Sequence, residues 1–529
     1  MAHHKLDSNH SGSTAVSSDT ASERIMLKDS VDGSPTDSQF PDIPNATSPT
    51  TYNKPPPIRR EGTLDPRLRS SFIPPKHSNR TLVLCFDGTG DQFDADNSNI
   101  VQLVSLLKKD DNTKQMVYYQ AGIGTYCTSN NTTSSFMSSI RRTLDEMVAW
   151  SIADHVMGGY KFLMQHYVAG DKICLFGFSR GAYTARSLAG MLSKVGLLPA
   201  GNIQQVQFAY KMYMRDDGFG WEQSVEFKKA FSVNVPIEFI GVWDTVSALG
   251  FLPKSLPVTT ASTSTRTFRH ALSLDERRAR FQPHLWHLPI GKKSELEHLT
   301  GADIETDVEE VWFAGCHCDV GGGAVSNKTR CSLARISLRW MIRECFKTGT
   351  GIMFNSALLY DIGLDPSTLD PFITPRPQAL PVGSHLIRKP PTTPIPIGVH
   401  ALLKEKGKRP DIMAESEIPY FGTEEQEELH DALSPNYDQL KMKKAWWILE
   451  ILPFQGWRRK RGRDSTWVKY SGPHFGAPRV IPHQNLNGLK VHRSVKLRRE
   501  AEFEDERARG MGKRYEPKPE FEVETTWVA

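Results

Sequence analysis

The 529-residue sequence is poor in cysteine: there are seven, an odd set without paired spacing, which excludes the disulfide framework of a small secreted domain. It has no run near the roughly 20 apolar residues that a membrane-spanning helix needs. Its start, MAHHKLDSNHSGS, is polar throughout and lacks the basic-then-apolar pattern of a signal peptide. An excess of one charge is also missing. Lysine and arginine number 65 against 60 aspartate and glutamate, a formal net charge of +5, too small for a dedicated basic nucleic-acid binder, so no nucleic-acid partner is expected. These absences point to a soluble, cytoplasmic protein, and they imply no oligomeric state.

Apolar periodicity is absent from residues 1–78, which are rich in Ser, Thr, Pro, Asp and Asn. Such a segment cannot bury enough surface to offset its ordering entropy and reads as a disordered N-terminal tail. Order begins at Thr81–Phe86, a continuous apolar run ending on Asp87-Gly88-Thr89-Gly90, the pattern of a strand buried on both faces. Asn97-Ser98 caps a helix carrying Ile100, Val101, Val104 and Leu107. Strands are expected at Met116–Tyr119, Lys172–Phe176, Ile237–Trp243 and Val311–Gly315, and helices over 144–167 and Ala182–Leu192. Strand and helix alternate, so the fold class is α/β: a mostly parallel sheet with helices on both faces, here over residues 79–350. Proline recurs from Pro366 to Pro396, which makes 351–415 an insertion or covering loop. Residues 416–500, with helical stretches at Glu424–Leu433 and Leu440–Leu452, form an accessory C-terminal region, and 501–529 a charged tail.

The strongest chemical signal is Gly177-Phe178-Ser179-Arg180-Gly181, set between a strand and a helix. A serine hydroxyl is a weak nucleophile until it is exposed, deprotonated by a neighbour and given an oxyanion site. A sharp strand–turn–helix elbow exposes it, and the glycines Gly177 and Gly181 allow the close approach. An acid and a base should follow in that order. Asp244 ends a strand, where open parallel sheets place functional groups, and His317 lies in a glycine-rich stretch before Gly321-Gly322-Gly323. Ser179, Asp244 and His317 are the expected triad. The Arg180 N–H at the helix start, with Gly88 and Thr89 of the first loop, would form the oxyanion hole, and Asp87 would brace that loop. Cys316-His317-Cys318-Asp319 looks like a metal cluster, but no second ligand group with zinc spacing exists, and in a strand the cysteines would point away from the histidine. Neither metal nor organic cofactor is required.

Six blocks in order carry a family resemblance: FDGTG at 86–90, YYQAGIGT at 118–125, GFSRGAYTAR at 177–186, FIGVWDTV at 239–246, HALSLDERRARFQP at 270–283 and VWFAGCHCDVGGG at 311–323. Together they resemble the catalytic domain of the type VI secretion lipase-effector family, and AWWILEILP at 445–453 is similar to its fungal-type members. The resemblance implies an α/β-hydrolase fold and a serine hydrolase, in the bacterial branch a phospholipase. It makes Ser179 the nucleophile and Asp244 and His317 its partners, with His270 of a shared block as the alternative base. Asp275-Glu276-Arg277-Arg278 read as a helix-start set of salt bridges.

The expected function is therefore hydrolysis of carboxylic esters, lipid or small and soluble, through an acyl-enzyme. The rival from another class is an interaction protein that keeps the scaffold without the chemistry. Ala445–Phe454, tryptophan-rich and followed by Arg458-Arg459-Lys460-Arg461-Gly462-Arg463, suits peripheral membrane contact, though packing on the core is the expected role of so short a helix.

Overall fold

The computed structural model describes residues 71–75, 79–89, 91–122, 137–246, 264–286, 305–389, 422–459, 467–482, 484 and 488–529. These belong to one unit, Leu64–Ala529. The apolar runs become strands β1 (Thr81–Phe86), β2 (Gln115–Gln120), β3 (Lys172–Phe178), β4 (Ile237–Trp243), β5 (Thr265–Ser273) and β6 (Asp307–Phe313). Two short strands from the far end of the chain, β7 (Lys490–His492) and β8 (Thr526–Val528), join them. Among the described residues these form an eight-stranded sheet in the order β8-β7-β6-β5-β4-β3-β1-β2, with every neighbouring pair parallel. Parallel neighbours need crossovers, and helices supply them on both faces.

The helices that position the site are α1 (Asn99–Leu106), α2 (Met137–His166), α3 (Arg180–Val195), α4 (Val206–Met214), α5 (Gly218–Phe231), α6 (His317–Gly321), α7 (Leu333–Lys347), α8 (Glu424–Ala432) and α9 (Trp447–Ile451). Ser98 caps α1, its hydroxyl accepting from the Val101 N–H at 3.3 Å. Because strand residues alternate faces, Leu82, Leu84 and Phe86 pack with α2 and α3. Val83 and Cys85 pack with α1 and α7 on the other side. β1 is buried along its whole length, which is why its sequence shows no polar alternation.

Four expectations are corrected. The N-terminal tail of 1–78 contains an ordered segment: Phe72–Ile73 pairs antiparallel with Phe354–Asn355, and Ile73 enters the core. The rest of that tail, Gly124-Thr125, residues 390–415 and Lys460–Arg463 lie outside the described residues. His270 sits inside β5, and the LDERRAR stretch after it is a turn with one 3-10 helix at Ala279–Phe281. The charged set there does form ion pairs, Arg278 with Glu276 and Arg277 with Asp438, without a helix to start. The expected helix Leu440–Leu452 is broken into Gln439–Met442, a 3-10 turn and α9. The charged tail 501–529 supplies edge strand β8, and its Tyr515 is buried. No helix of the described residues is long and apolar enough to cross a membrane.

Charge holds the C-terminal segment to the sheet. Glu427 and Asp431 of α8 are fully buried against arginines of α7 and its approach, Asp431 with Arg339 at 2.7 Å and Glu427 with Arg335 at 3.2 Å and with Arg330. Tyr515 donates its hydroxyl to buried Asp275 Oδ2 at 2.8 Å. Replacing Tyr515 with phenylalanine removes that donor while keeping the ring. Urea unfolding should show a loss of about 1–2 kcal/mol; an unchanged midpoint would mean the tyrosine hydroxyl contributes nothing net.

Candidate active site

Ser179 follows β3 directly and opens α3 with φ 58° and ψ −121°. A non-glycine residue there stores roughly 1–3 kcal/mol, sustained only when its surroundings fix it. Ser179 N–H donates to Trp243 O at 3.0 Å, and Ser179 O accepts from Tyr183 N–H at 3.3 Å and Val246 N–H at 3.5 Å. The two motif glycines make the turn sterically feasible. A Cβ on Gly177 would lie 2.5 Å from Ala182 Cα, and one on Gly181 would lie 2.3 Å from Phe86 O and Asp87 O. Ser179 is 5% exposed, and among the described residues its hydroxyl makes no hydrogen bond.

Register brings the acid beside it. Phe178 pairs with Trp243 across β3 and β4, so Ser179 and Asp244 leave adjacent strands at the same edge. Asp244 is also at positive φ, 39°, and fully buried. His317, at the start of α6, places Nδ1 2.6 Å from Asp244 Oδ2. Its ring lies 4.7 Å from Phe178, the residue before Ser179, and 4.9 Å from Phe281. The structure thus joins His317 to Asp244 and sets Ser179 at the same sheet edge. His317 begins a helix, not a strand end, so the expected alternation of Cys316 and Cys318 about it does not apply. His270 is excluded from the cluster by its own bonds: Nδ1 lies 2.8 Å from Glu310 Oε1, and Nε2 accepts from Thr245 N–H at 3.0 Å.

The loop after β1 meets the elbow, because Gly181 touches Asp87 O. Asp87 braces that loop: its carboxylate accepts from Ser98 Oγ at 2.6 Å, Tyr119 OH at 2.8 Å and Gly88 N–H at 2.8 Å. That last bond corrects one expectation, since the Gly88 N–H is spent on Asp87 and is not free for an oxyanion. Arg180 is the first residue of α3, where a helix N–H has no internal acceptor. Thr89 Oγ1 is buried without a partner. These two remain as donor positions.

Sequence reasoning missed the residue with the strongest hold on the acid. Arg479, fully buried, grips Asp244 with both ends of its fork, Nη1 to Oδ1 at 2.6 Å and Nη2 to Oδ2 at 2.9 Å. It also donates to Ser273 O at 2.9 Å and to Phe281 O. Ser273 adds its N–H and hydroxyl to the same carboxylate, at 2.9 and 3.0 Å. Nothing in Gly476-Ala-Pro-Arg479 marks that arginine, 235 positions away in sequence. Burial alone would raise the Asp244 pKa, but Arg479 and His317 outweigh it and hold the carboxyl far below its usual range. Burial lowers the His317 pKa against the pull of Asp244, which favours the neutral imidazole. Glu276 accepts from the His317 N–H at 3.3 Å and is brought down to about 2 by Arg278, against its own burial.

A family model described as the catalytic domain of Tle1-like phospholipase effectors of the type VI secretion system matches residues 80–344. The chain belongs to this family. Its Tle1-like segment spans β1 through α7 and includes Ser179, Asp244 and His317, but not Arg479. The chain is 26% identical to an uncharacterised protein of Saccharomyces cerevisiae, over 80% of each. It is similar to a solved uncharacterised protein from Pseudomonas aeruginosa at 19% identity, covering 52% of this chain and 46% of that one, with a TM-score of 0.29. A solved Tle1 effector bound to the VgrG spike of the type VI secretion system is also 19% identical, over 46% of this chain and 51% of that one, with a TM-score of 0.25. The chain spans about half the length of these solved proteins.

Replacing Arg479 with methionine leaves Asp244 buried without its counter-ion. Chemical denaturation should register a loss of about 3–5 kcal/mol. With the cation gone, Asp244 favours imidazolium more strongly, so His317 should take its proton at higher pH than in the wild type, read by histidine NMR. Lysine at 479 keeps the charge but not the fork and should fall between the two.

Proposed function

We propose that this chain is a serine hydrolase of carboxylic esters whose substrates are phospholipids. The observation that supports the reading most directly is the 2.6 Å contact of His317 Nδ1 with Asp244 Oδ2, one strand away from a serine held at positive φ. His317 Nδ1–H donates to Asp244 Oδ2, which leaves Nε2 with a lone pair. Ser179 Oγ attacks the acyl carbonyl while His317 Nε2 accepts its proton. The Arg180 N–H and Thr89 stabilise the oxyanion. His317 then protonates the departing alcohol, and a water deprotonated by the same ring cleaves the acyl-enzyme. The nucleophile–base hydrogen bond forms as substrate fills the site, as such bonds commonly do. Membership of a phospholipase-effector family supports phospholipid as the substrate class. On this reading the protein works at membrane surfaces.

Ser179→Ala and His317→Gln should each abolish labelling by a fluorophosphonate and lower kcat on a soluble ester by about 10³-fold or more. Asp244→Asn should cost about 10⁴-fold by favouring the wrong tautomer. The reactive form needs neutral His317, whose pKa burial depresses. The acid limb of the kcat/KM profile should therefore have its midpoint below the ordinary imidazole pKa of about 6.5. Wild-type turnover by Ser179→Ala, or an acid limb above pH 7, would sink the mechanism.

A further inference from the structure

The Ala445–Phe454 segment meets the core, its expected place, through its acid and Trp446, and leaves an apolar face outside. Its one acid points inward: Glu450 is 1% exposed and accepts from Ala279 N–H at 2.7 Å, His474 Nδ1 at 2.9 Å and Gly476 N–H at 3.0 Å. Trp447, Ile448 and Ile451, spaced to share one helix face, point outward with exposures of 38%, 61% and 60%. Phe475, 63% exposed, extends the same face, because its N–H donates to Glu450 O at 3.2 Å and a Cβ on the next residue, Gly476, would lie 3.2 Å from Trp447. Lys443 and Lys444 flank it, both exposed. An apolar patch of this kind, with its acid buried and its edge cationic, is unfavourable in water and complementary to anionic lipid: tryptophan favours the headgroup level, and each nearby lysine attracts the surface.

We propose that α9 and the Phe475 turn form the surface by which this protein docks on an anionic phospholipid bilayer. The patch adjoins the candidate site. Trp446, beside Trp447, lies 5.7 Å from the Phe281 ring, which lies 4.9 Å from His317. Docking therefore sets the site against the source of its substrate, a consequence that rests on the ester-hydrolase reading; docking itself does not. A second exposed apolar group, Phe208 on α4 and Phe219 and Phe231 on α5, is unsuited to that task. Those helices pack at the C-terminal end of α3, where Lys228 Nζ donates to Ser193 O at 2.8 Å. Ser179 is at the opposite end, about 24 Å away along α3.

Flotation of the full chain with phosphatidylcholine–phosphatidylserine vesicles tests this. The wild type should float. The triple variant Trp447→Ser, Ile448→Ser, Ile451→Ser should bind at least about tenfold more weakly, while staying folded by circular dichroism and keeping the wild-type turnover of a soluble ester. Lys443→Gln with Lys444→Gln should weaken binding several-fold and reduce its salt dependence. Phe208→Ser with Phe219→Ser should float like the wild type. The proposal fails if the wild type stays in solution, if the triple variant binds undiminished, or if the α4–α5 variant loses binding instead. It also fails if the patch proves to be covered by a second copy, seen as a dimer that the triple variant dissolves. A wild type that floats but hydrolyses no ester would overturn the enzymatic reading and leave the docking surface standing.

Discussion

The site depends on one buried ion cluster, the Arg479 guanidinium closed on Asp244 with His317 on the far oxygen. A carboxylate taken fully out of water costs several kcal/mol unless it is paired and hydrogen-bonded. Asp244 meets both conditions, with two bonds from Arg479, two from Ser273 and one contact with His317. The arrangement has a chemical consequence. An unneutralised aspartate would draw His317 toward the imidazolium form, which cannot act as a base. Arg479 offsets that pull while Asp244 keeps its geometric grip on Nδ1. The acid then orients the ring without holding its proton.

Strain at the elbow is contained by the same cluster. Ser179 and Asp244 are both at positive φ, and the serine backbone is tied to the segment that carries the aspartate: Ser179 N–H to Trp243 O, and Val246 N–H back to Ser179 O. Fixing Asp244 through Arg479 fixes the end of β4, and that end holds the turn that carries the serine. Two strained residues therefore share one support.

How much of this the sequence reveals follows from the range of each interaction. Ser179, Asp244 and His317 are legible because each ends a strand or begins a helix within a local motif, and sheet register then aligns them. The sheet from β1 to β6 is legible for the most part, since strands buried on both faces read as continuous apolar runs. β5 is not: its Arg269 and His270 break the apolar run, and only their partners Glu344 and Glu310 explain them. The three-residue strands β7 and β8 have too few positions to show a period and form only because β6 offers an edge to β7, and β7 one to β8. Arg479 is illegible for the same reason, one basic residue in a turn whose partner is far along the chain. α9 misleads in the opposite sense, its apolar residues suggesting burial when its lone acid is the buried group.

The traffic of charge across the sheet argues that the segment after residue 344 is part of the hydrolase, not an attachment to it. The family-matched segment buries carboxylates at Asp244 and Asp275, and the later segment supplies Arg479 to the first and the Tyr515 hydroxyl to the second. In return the later segment buries Glu427 and Asp431, and the matched segment supplies Arg330, Arg335 and Arg339. Cutting between them would strand charges on both sides, each with a desolvation penalty and no partner. Neither piece is then expected to be stable alone, however complete the motif-bearing half looks in sequence. The proposed catalytic residues are drawn from one half, but the electrostatic balance that makes their arrangement tenable is drawn from both.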